Sequence, residues 1–227
     1  MPHRRATCNC AGHVLEPLFK NNQTWAERKI ADDPSFFSRL VGQQDPDYFW
    51  IGCADSRVPA NEILGLDPGE VFVHRNVANL VLNTDFNCLS VLQYAVEVLK
   101  VEHVMVVGHY GCGGVRAALE NRQLGLIDNW LRNIKDVVRR HKRELLAIEN
   151  MDHRADRLCE LNVVEQVKNV CHTTIVQNAW ANGQSLTVHG FIYSVEDGRL
   201  RDLGALVNNL DQLSDIYRMH PDESGND

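Results

Sequence analysis

The sequence predicts an α/β fold in which a mainly parallel β-sheet is flanked by helices. Longer segments with helical periodicity separate short apolar runs that are typical of buried strands. These runs are residues 48–51, 71–74, 104–107 and 185–193. This alternation favours parallel strands joined by crossover helices. The chain of 227 residues contains no linker rich in Pro, Gly or Ser, so we expect one domain over residues 24–217 between tails at 1–23 and 218–227.

Composition excludes several classes of protein. Hydrophobic residues make up 44% and charged residues 23%, as in ordinary globular proteins. The net charge of −7 argues against a nucleic-acid partner. No apolar run reaches the roughly 20 residues that span a bilayer, and no apolar segment follows Arg4 and Arg5, so we expect a cytoplasmic protein. Seven scattered cysteines favour free thiols and metal ligands over disulfides.

The first helix is predicted to begin at a capping box. Thr24 would be the N-cap and Glu27 the third helical residue, so the helix would run from Trp25 to about Val41 with a break at Pro34.

The later elements follow in order. Pro59 suits the first turn of a short helix that ends at Leu64. Asp197-Gly198 is a hairpin-type turn signal after the last apolar run. Helical periodicity occupies roughly residues 89–99, 127–148 and 158–181.

Three chemically active side chains stand at alternate positions where the first strand ends. Cys53, Asp55 and Arg57 can point the same way on an extended backbone. A soft cation would take the thiolate and the carboxylate, whereas Arg57 would pair with the same carboxylate through a bidentate fork. Asp55 therefore has two competing partners, a metal ion and an arginine.

A second pair of ligand types, His109 and Cys112, follows the third apolar run. In open α/β sheets, sites gather beyond the carboxyl ends of the strands. Two thiolates, an imidazole and the carboxylate of Asp55 suit tetrahedral zinc. With Asp55 on zinc the site would be closed, and with Asp55 on Arg57 its fourth position would be open, as catalysis requires.

These motifs resemble those of the β-class carbonic anhydrases. Cys53-x-Asp55-x-Arg57 and His109-x-x-Cys112 are similar to that family's signature pair, and the flanking text at 55–59, 74–79 and 108–114 matches as well. The resemblance extends from about residue 24 to residue 202. It implies a β-carbonic anhydrase-like fold and one zinc ion per subunit on Cys53, His109 and Cys112.

The resemblance also implies a reaction and an assembly. The family reversibly hydrates carbon dioxide to bicarbonate and a proton through zinc hydroxide, with Asp55 and Arg57 here as the catalytic dyad. Gln44, Phe72 and Tyr94 resemble the residues that line its substrate pocket. The minimal unit is a dimer, and we expect a homo-oligomer with the tetramer favoured.

One bacterial, tetrameric subgroup of the family is allosteric, and the sequence resembles it. Trp50, Arg75 and Tyr193 resemble the residues of its non-catalytic bicarbonate pocket. These three side chains suit an anion, because the Arg75 guanidinium carries a positive charge and the Trp50 N–H and the Tyr193 O–H are hydrogen-bond donors. In that subgroup bound bicarbonate favours the closed form, in which the carboxylate equivalent to Asp55 lies on zinc.

Other interpretations stay open on the residues alone. Trp50 and Tyr193 also suit core aromatics, and Cys8 and Cys10 could belong to a second metal site or to a loose tail. Relatives on this scaffold that hydrolyse carbonyl sulfide or carbon disulfide share the metal ligands. A zinc-stabilised binding module would have no use for Arg57, and a metal-free cysteine hydrolase would rely on alkylation-sensitive thiol chemistry. A carbon dioxide hydration assay separates these functions.

Overall fold

A computed structural model of the chain describes residues 15–42 and 44–219. The chain divides into two compact units, residues 1–44 and residues 45–227. The domain limits expected from the sequence stay a prediction, because a division by compactness does not fix where a folding unit begins.

The first unit contains helices α1 (Glu16–Asp32) and α2 (Phe36–Gly42). The predicted helix start at Trp25 is wrong, because α1 begins nine residues earlier and Thr24 lies inside it. Pro17 falls in the first turn of α1, where its fixed φ and missing N–H cost nothing.

The expected capping box is absent for the same reason. Glu27 accepts a hydrogen bond of 2.7 Å from Gln23 Nε2, one helical turn earlier, as mid-helix residues do. The break at Pro34 is confirmed, since α1 ends at Asp32 and the Asp33 carboxylate accepts the backbone N–H of Ser35 at 2.9 Å.

The second unit is built on one five-stranded sheet, which confirms the predicted fold class. The order is β2-β1-β3-β4-β5, in which the first four strands are parallel and β5 runs antiparallel to β4. The turn predicted at Asp197-Gly198 joins β4 to β5, with Gly198 at φ +68°. The strands are β1 (Tyr48–Cys53), β2 (Val71–Asn76), β3 (His103–His109), β4 (Thr187–Ser194) and β5 (Arg199–Val207).

Helices follow the strands as crossover connections. Those of the second unit are α3 (Ala60–Leu64), α4 (Phe86–Gln93), α5 (Gly113–Leu119), α6 (Ile127–Arg140), α7 (Lys142–Leu146), α8 (Met151–Cys171) and α9 (Thr174–Ala181). A π-helical segment at Tyr94–Val98 continues α4, and short 3₁₀ turns occupy Val77–Asn79, Leu210–Gln212 and Asp215–Tyr217.

Three differences from the predicted helices stand out. The sequence did not indicate α5, and the stretch expected at 127–148 is two helices that meet at His141. The stretch expected at 158–181 is also two helices, α8 and α9, and the first of them begins at Met151, because the Asn150 side chain caps it by accepting the His153 N–H at 3.0 Å. No helix within 15–42 or 44–219 is long and apolar enough to cross a lipid bilayer.

The two faces of the sheet belong to different apolar clusters. Phe49, Ile51 and Cys53 face the larger core, whereas Trp50 belongs to a smaller cluster with Met105 and Val107 on the opposite face. Strands buried on both faces read as continuous apolar runs, which is why β1 and β3 are recognisable in the sequence.

Helix α8 is part of the larger core and packs very close to the sheet. A Cβ at Gly108 would come within 2.5 Å of Val163 Cγ2, and one at Gly190 would lie 3.1 Å from Val167 Cγ2. Glycine at these two strand positions lets the helix reach the part of β3 that leads into His109.

Candidate metal centre

Cys53, His109 and Cys112 come together at the carboxyl edge of the sheet. Cys53 is the last residue of β1, His109 is the last residue of β3, and Cys112 directly precedes α5. Their ligand atoms all lie within 4.8 Å of one another, and all three residues are buried. The convergence that we predicted from the strand ends is therefore present.

The His109 ring is oriented for metal binding. Its Nδ1 lies 3.0 Å from the Tyr110 carbonyl oxygen, which can only accept, so Nδ1 carries the proton and donates. The unprotonated Nε2 is buried without a hydrogen-bond partner among the described residues. A buried polar atom left unpaired is costly, and a cation at this atom would remove that cost.

The two thiols are coupled. The hydrogen bond with the Cys112 thiol, helped by the backbone N–H groups of Ala78 and Asp55 and opposed by burial, lowers the pKa of Cys53, whereas the hydrogen bond with Cys53 and burial raise the pKa of Cys112. Without a metal the pair therefore holds one proton. The backbone N–H of Ala78 also donates to Cys53 Sγ at 3.4 Å. Two sulfurs and one neutral imidazole nitrogen are a donor set that fits zinc.

Asp55 is bound to Arg57 rather than turned toward the sulfurs. Arg57 Nε donates to Oδ1 at 2.9 Å and Nη2 donates to Oδ2 at 2.7 Å, while the Arg57 backbone N–H adds a third bond of 2.9 Å. These bonds, opposed by partial burial, hold the pKa of Asp55 well below its usual range. Asp55 Oδ2 still lies only 3.8 Å from His109 Nε2, so the carboxylate borders the metal group.

Arg75 has a role that the sequence analysis missed. Its Nε donates to the Cys53 carbonyl at 2.8 Å, and its Nη2 donates to the Asp55 carbonyl. Arg75 therefore ties the end of β2 to the backbone that carries the first motif. No signal in the sequence indicated these contacts, since they depend on the register that places Arg75 beside Gly52.

The three residues assigned by resemblance to a bicarbonate pocket lie on one face of the sheet. Gly52 lies two residues after Trp50 and therefore on the same face of the sheet, and Arg75 aligns with Gly52. Tyr193 aligns with His109, which lies two residues after Val107, the β3 partner of Gly52. Arg75 and Tyr193 therefore lie on the same face as Trp50. Trp50 is fully buried, and its Nε1 has no hydrogen-bond partner among the described residues. The indole covers Gly52, where a Cβ would lie 2.1 Å from Nε1.

Two of the three residues predicted to line the substrate pocket, Phe72 and Tyr94, are neighbours. Phe72 packs between Phe49 and Tyr94, with ring centroids 5.9 Å apart in both pairs, and Tyr94 is 44% exposed. Gln44 is exposed and belongs to the unit of residues 1–44. Cys8 and Cys10, weighed as a second metal site, lie outside the described residues.

The fold and the site are those of an α/β protein with a ligand set that fits zinc, and comparisons with known proteins identify the family. The family model described as carbonic anhydrase matches residues 48–200. The chain is 48% identical to a carbonic anhydrase of Emericella nidulans over 217 residues, covering 96% of this chain and 94% of that protein. It is 32% identical to a carbonic anhydrase of Candida albicans over 94% of this chain and 76% of that protein.

Solved structures agree. A Coccomyxa β-carbonic anhydrase in complex with acetazolamide has a TM-score of 0.84 and 41% identity, covering 88% of this chain and 90% of that chain. A tetrameric β-carbonic anhydrase from Sordaria macrospora has a TM-score of 0.82 and 40% identity, covering 86% and 98%. The chain belongs to the β-class carbonic anhydrase family, an enzyme family that uses zinc. These relatives are fungal and algal, so the comparisons do not support the bacterial origin expected from the resemblance.

Proposed function

We propose that this enzyme hydrates carbon dioxide to bicarbonate with zinc held by Cys53, His109 and Cys112, and with Asp55 and Arg57 as its catalytic dyad. The observation that carries the proposal is the buried Nε2 of His109, which has no hydrogen-bond partner within residues 15–42 and 44–219 and borders both thiols and the carboxylate. When bound, zinc supplies a nucleophile by acidifying a coordinated water.

The chain's own residues would divide the remaining work. Asp55, ionised because Arg57 holds it, would accept a hydrogen bond from the reacting water and orient it. Arg57 would keep Asp55 away from the fourth ligand position, which leaves that position open to water and substrate. Phe72 and Tyr94 would line the approach of an apolar substrate, and the pocket role that the resemblance implies for Gln44 stays a prediction.

We also propose that Asp55 is a switch. When it leaves Arg57 it would become the fourth ligand and close the site, and it would return to Arg57 as pH rises or bicarbonate is withdrawn. Bicarbonate would act at Trp50, Arg75 and Tyr193. Within the described part of the chain the buried indole N–H of Trp50 has no hydrogen-bond partner, and Arg75 holds the carbonyls of Cys53 and Asp55. An anion that attracts the Arg75 guanidinium would loosen the backbone that carries Asp55.

A homotetramer is the assembly that we propose, because the Sordaria relative of 40% identity is described as tetrameric. Sedimentation analysis should give the mass of four 25.7 kDa chains. A mass of one or two chains at micromolar concentration would exclude the tetramer.

The activity is tested by stopped-flow hydration of carbon dioxide together with the zinc content of each preparation. The zinc-loaded wild type should hydrate carbon dioxide, and Cys112→Ala should lose both zinc and activity. Cys171→Ala is the matched control, since Cys171 is a buried thiol at the end of α8 outside the metal group. Wild type that binds zinc but turns over only carbonyl sulfide or carbon disulfide would overturn the proposed substrate.

Regulation is tested with Trp50→Phe, which keeps an aromatic ring and removes the N–H donor. Bicarbonate should suppress the wild-type rate at neutral pH, and the variant should escape this suppression while keeping its rate at alkaline pH. A wild type that remains fully active at neutral pH in saturating bicarbonate would exclude the regulatory pocket.

A further inference from the structure

One face of α8 is lined by polar side chains in the middle of the core. Asn162, Gln166 and Asn169 are spaced by four and three residues, so they form one stripe along the helix. Asn162 is 1% exposed and Gln166 is 2% exposed. Burying a carboxamide is unfavourable unless it forms hydrogen bonds inside the protein, so we expect these side chains to have hydrogen-bond partners that offset the loss of water.

The partners lie in the loop that follows β2. Asn162 Nδ2 donates to the Ala78 carbonyl at 3.0 Å, and Gln166 Nε2 donates to Asn162 Oδ1 at 3.0 Å. Gln166 Oε1 accepts the backbone N–H of Val81 at 2.9 Å, and Asn169 Nδ2 donates to the Val81 carbonyl at 2.9 Å. We call Asn162, Gln166 and Asn169 the α8 amide ladder.

The loop that the ladder holds has an unfavourable backbone. Ala78 has φ +67° and Asn79 has φ +48°, which is the left-handed region that non-glycine residues rarely occupy. For Ala78 this conformation is unfavourable and persists only where the surroundings fix it, whereas an asparagine such as Asn79 tolerates it more readily. The Asn76 side chain adds to that fixing by bonding the N–H and the carbonyl of Leu80.

This backbone turns one N–H group toward the metal centre. The Ala78 N–H donates to Cys53 Sγ, while the carbonyl of the same residue accepts from Asn162. The N–H and the carbonyl belong to the two peptide groups that flank the Ala78 Cα, so the bond from Asn162 helps to hold the backbone torsions that direct the N–H toward the sulfur. The larger core buries Ala78 completely, so water cannot replace either bond.

The same face of α8 also carries a thiol. Cys159, which precedes Asn162 by three residues, is buried in the larger core together with Cys53 and Cys112. One helix face therefore bonds the loop that carries the Ala78 N–H and packs in the core cluster that contains both cysteines of the metal group.

We propose that the α8 amide ladder positions the Ala78 N–H on the Cys53 thiolate and thereby sets the affinity of the centre for zinc. Asn162 and Gln166 are positioning residues that act through Ala78 and never touch the metal or the substrate. Partners of this kind around a metal ligand typically change affinity about 10- to 100-fold when they are removed. The proposal rests on Cys53 being a zinc ligand, as argued above.

The first test compares two buried glutamines. Gln166→Met removes the ladder's central carboxamide, and Gln177→Met is the matched control. Gln177 is also 2% exposed, and its carboxamide bonds the carbonyls of His172 and Tyr217 and the N–H of Met219. Each variant loses one buried carboxamide with three or more bonds, but only Gln166 is connected to Ala78.

Zinc affinity is measured by competition with a chromophoric chelator, and the thiolate-to-metal charge-transfer band is recorded after cobalt substitution. We expect Gln166→Met to bind zinc about 10- to 100-fold more weakly and to shift the band, whereas Gln177→Met should match wild type in both while losing thermal stability. Equal zinc affinity and identical bands in both variants would overturn the proposal. Asn162→Leu, which removes the donor to Ala78 together with the acceptor for Gln166 Nε2, should reproduce the effect.

A second measurement needs no variant. Amide hydrogen exchange over residues 76–82 is followed in wild type before and after zinc removal. If the ladder holds the loop, its slow exchange should survive in the zinc-free protein. Fast exchange there, with α8 still protected, would show that zinc orders the loop and would overturn the proposal.

The two proposals fail in distinguishable ways. A wild type without tight zinc binding or a charge-transfer band would contradict Cys53 as a ligand, whatever the exchange data show. A wild type with both, but with variants that differ only in stability, would contradict the ladder alone.

Discussion

Replacing Arg57 with lysine should shift Asp55 away from its present partner. The guanidinium holds both carboxylate oxygens through a fork, at 2.9 and 2.7 Å. A lysine ammonium is a point charge that cannot reproduce two parallel bonds, so at least one is lost. In Arg57→Lys the carboxylate should therefore spend more time in the fourth ligand position, which closes the site.

The size of the effect follows from the geometry. A hydrogen bond to a charged group contributes about 1.5–3 kcal/mol. The Arg57 side chain is 53% exposed, and solvent screening places its loss at the lower end, about 1.5 kcal/mol. That free energy corresponds to about a tenfold lower kcat/KM at neutral pH.

Stopped-flow hydration at matched zinc content measures this loss. Arg139→Lys is the control, because Arg139 pairs with Asp136 on the exposed surface of α6 at 3.4 Å and should leave the rate unchanged. If Arg57→Lys keeps the wild-type rate across the pH range while fully loaded with zinc, the fork on Asp55 has no part in keeping the site open.

Three further predictions concern stability and thiol chemistry. Gly108→Ala places a methyl group 2.5 Å from Val163 Cγ2 and should lower the free energy of unfolding by about 1–3 kcal/mol, as measured by denaturant unfolding. An unchanged denaturation midpoint would mean that α8 moves away from β3 without cost. Burial lowers the pKa of His172 in the folded protein below the ordinary histidine value of 6.5. Near and below pH 6.5 the unfolded chain therefore binds more protons than the folded protein, so the free energy of unfolding should fall as the pH drops through 6.5. His172→Phe should flatten this dependence in thermal melts, and an unaltered slope would assign it to other groups. After zinc removal, Cys53 should react with iodoacetamide at neutral pH before Cys88, because the pKa of Cys53 is lowered and burial raises the pKa of Cys88 to about 12. Peptide mapping that finds Cys88 labelled first would contradict this order.

Much of the site could be predicted because its residues lie at the ends of recognisable strands. β1 and β3 are buried on both faces, so they are visible in the sequence as continuous apolar runs. The ends of these runs locate Cys53 and His109 at the carboxyl ends of the two strands. The fork between Asp55 and Arg57 was also accessible, because it joins residues two positions apart.

The rest depends on contacts between distant parts of the chain. The bonds from Arg75 to the carbonyls of Cys53 and Asp55 require the register of β1 and β2, which no local pattern specifies. The bond from Asn162 to Ala78 spans 84 positions, and the left-handed φ of Ala78 contradicts its local preference. The misplaced start of α1 has a different cause, since Thr24 and Glu27 form a valid capping box that the longer helix overrides.

We infer that Cys53, His109 and Cys112 hold zinc while Arg57 keeps Asp55 away from it. A crystal structure of the zinc-loaded enzyme at alkaline pH, with data collected at the zinc absorption edge, tests this inference. We expect one anomalous peak per subunit bounded by the two sulfurs and His109 Nε2, with Asp55 still hydrogen-bonded to Arg57 through both carboxylate oxygens. A peak elsewhere, or Asp55 bound to zinc at alkaline pH, would contradict it.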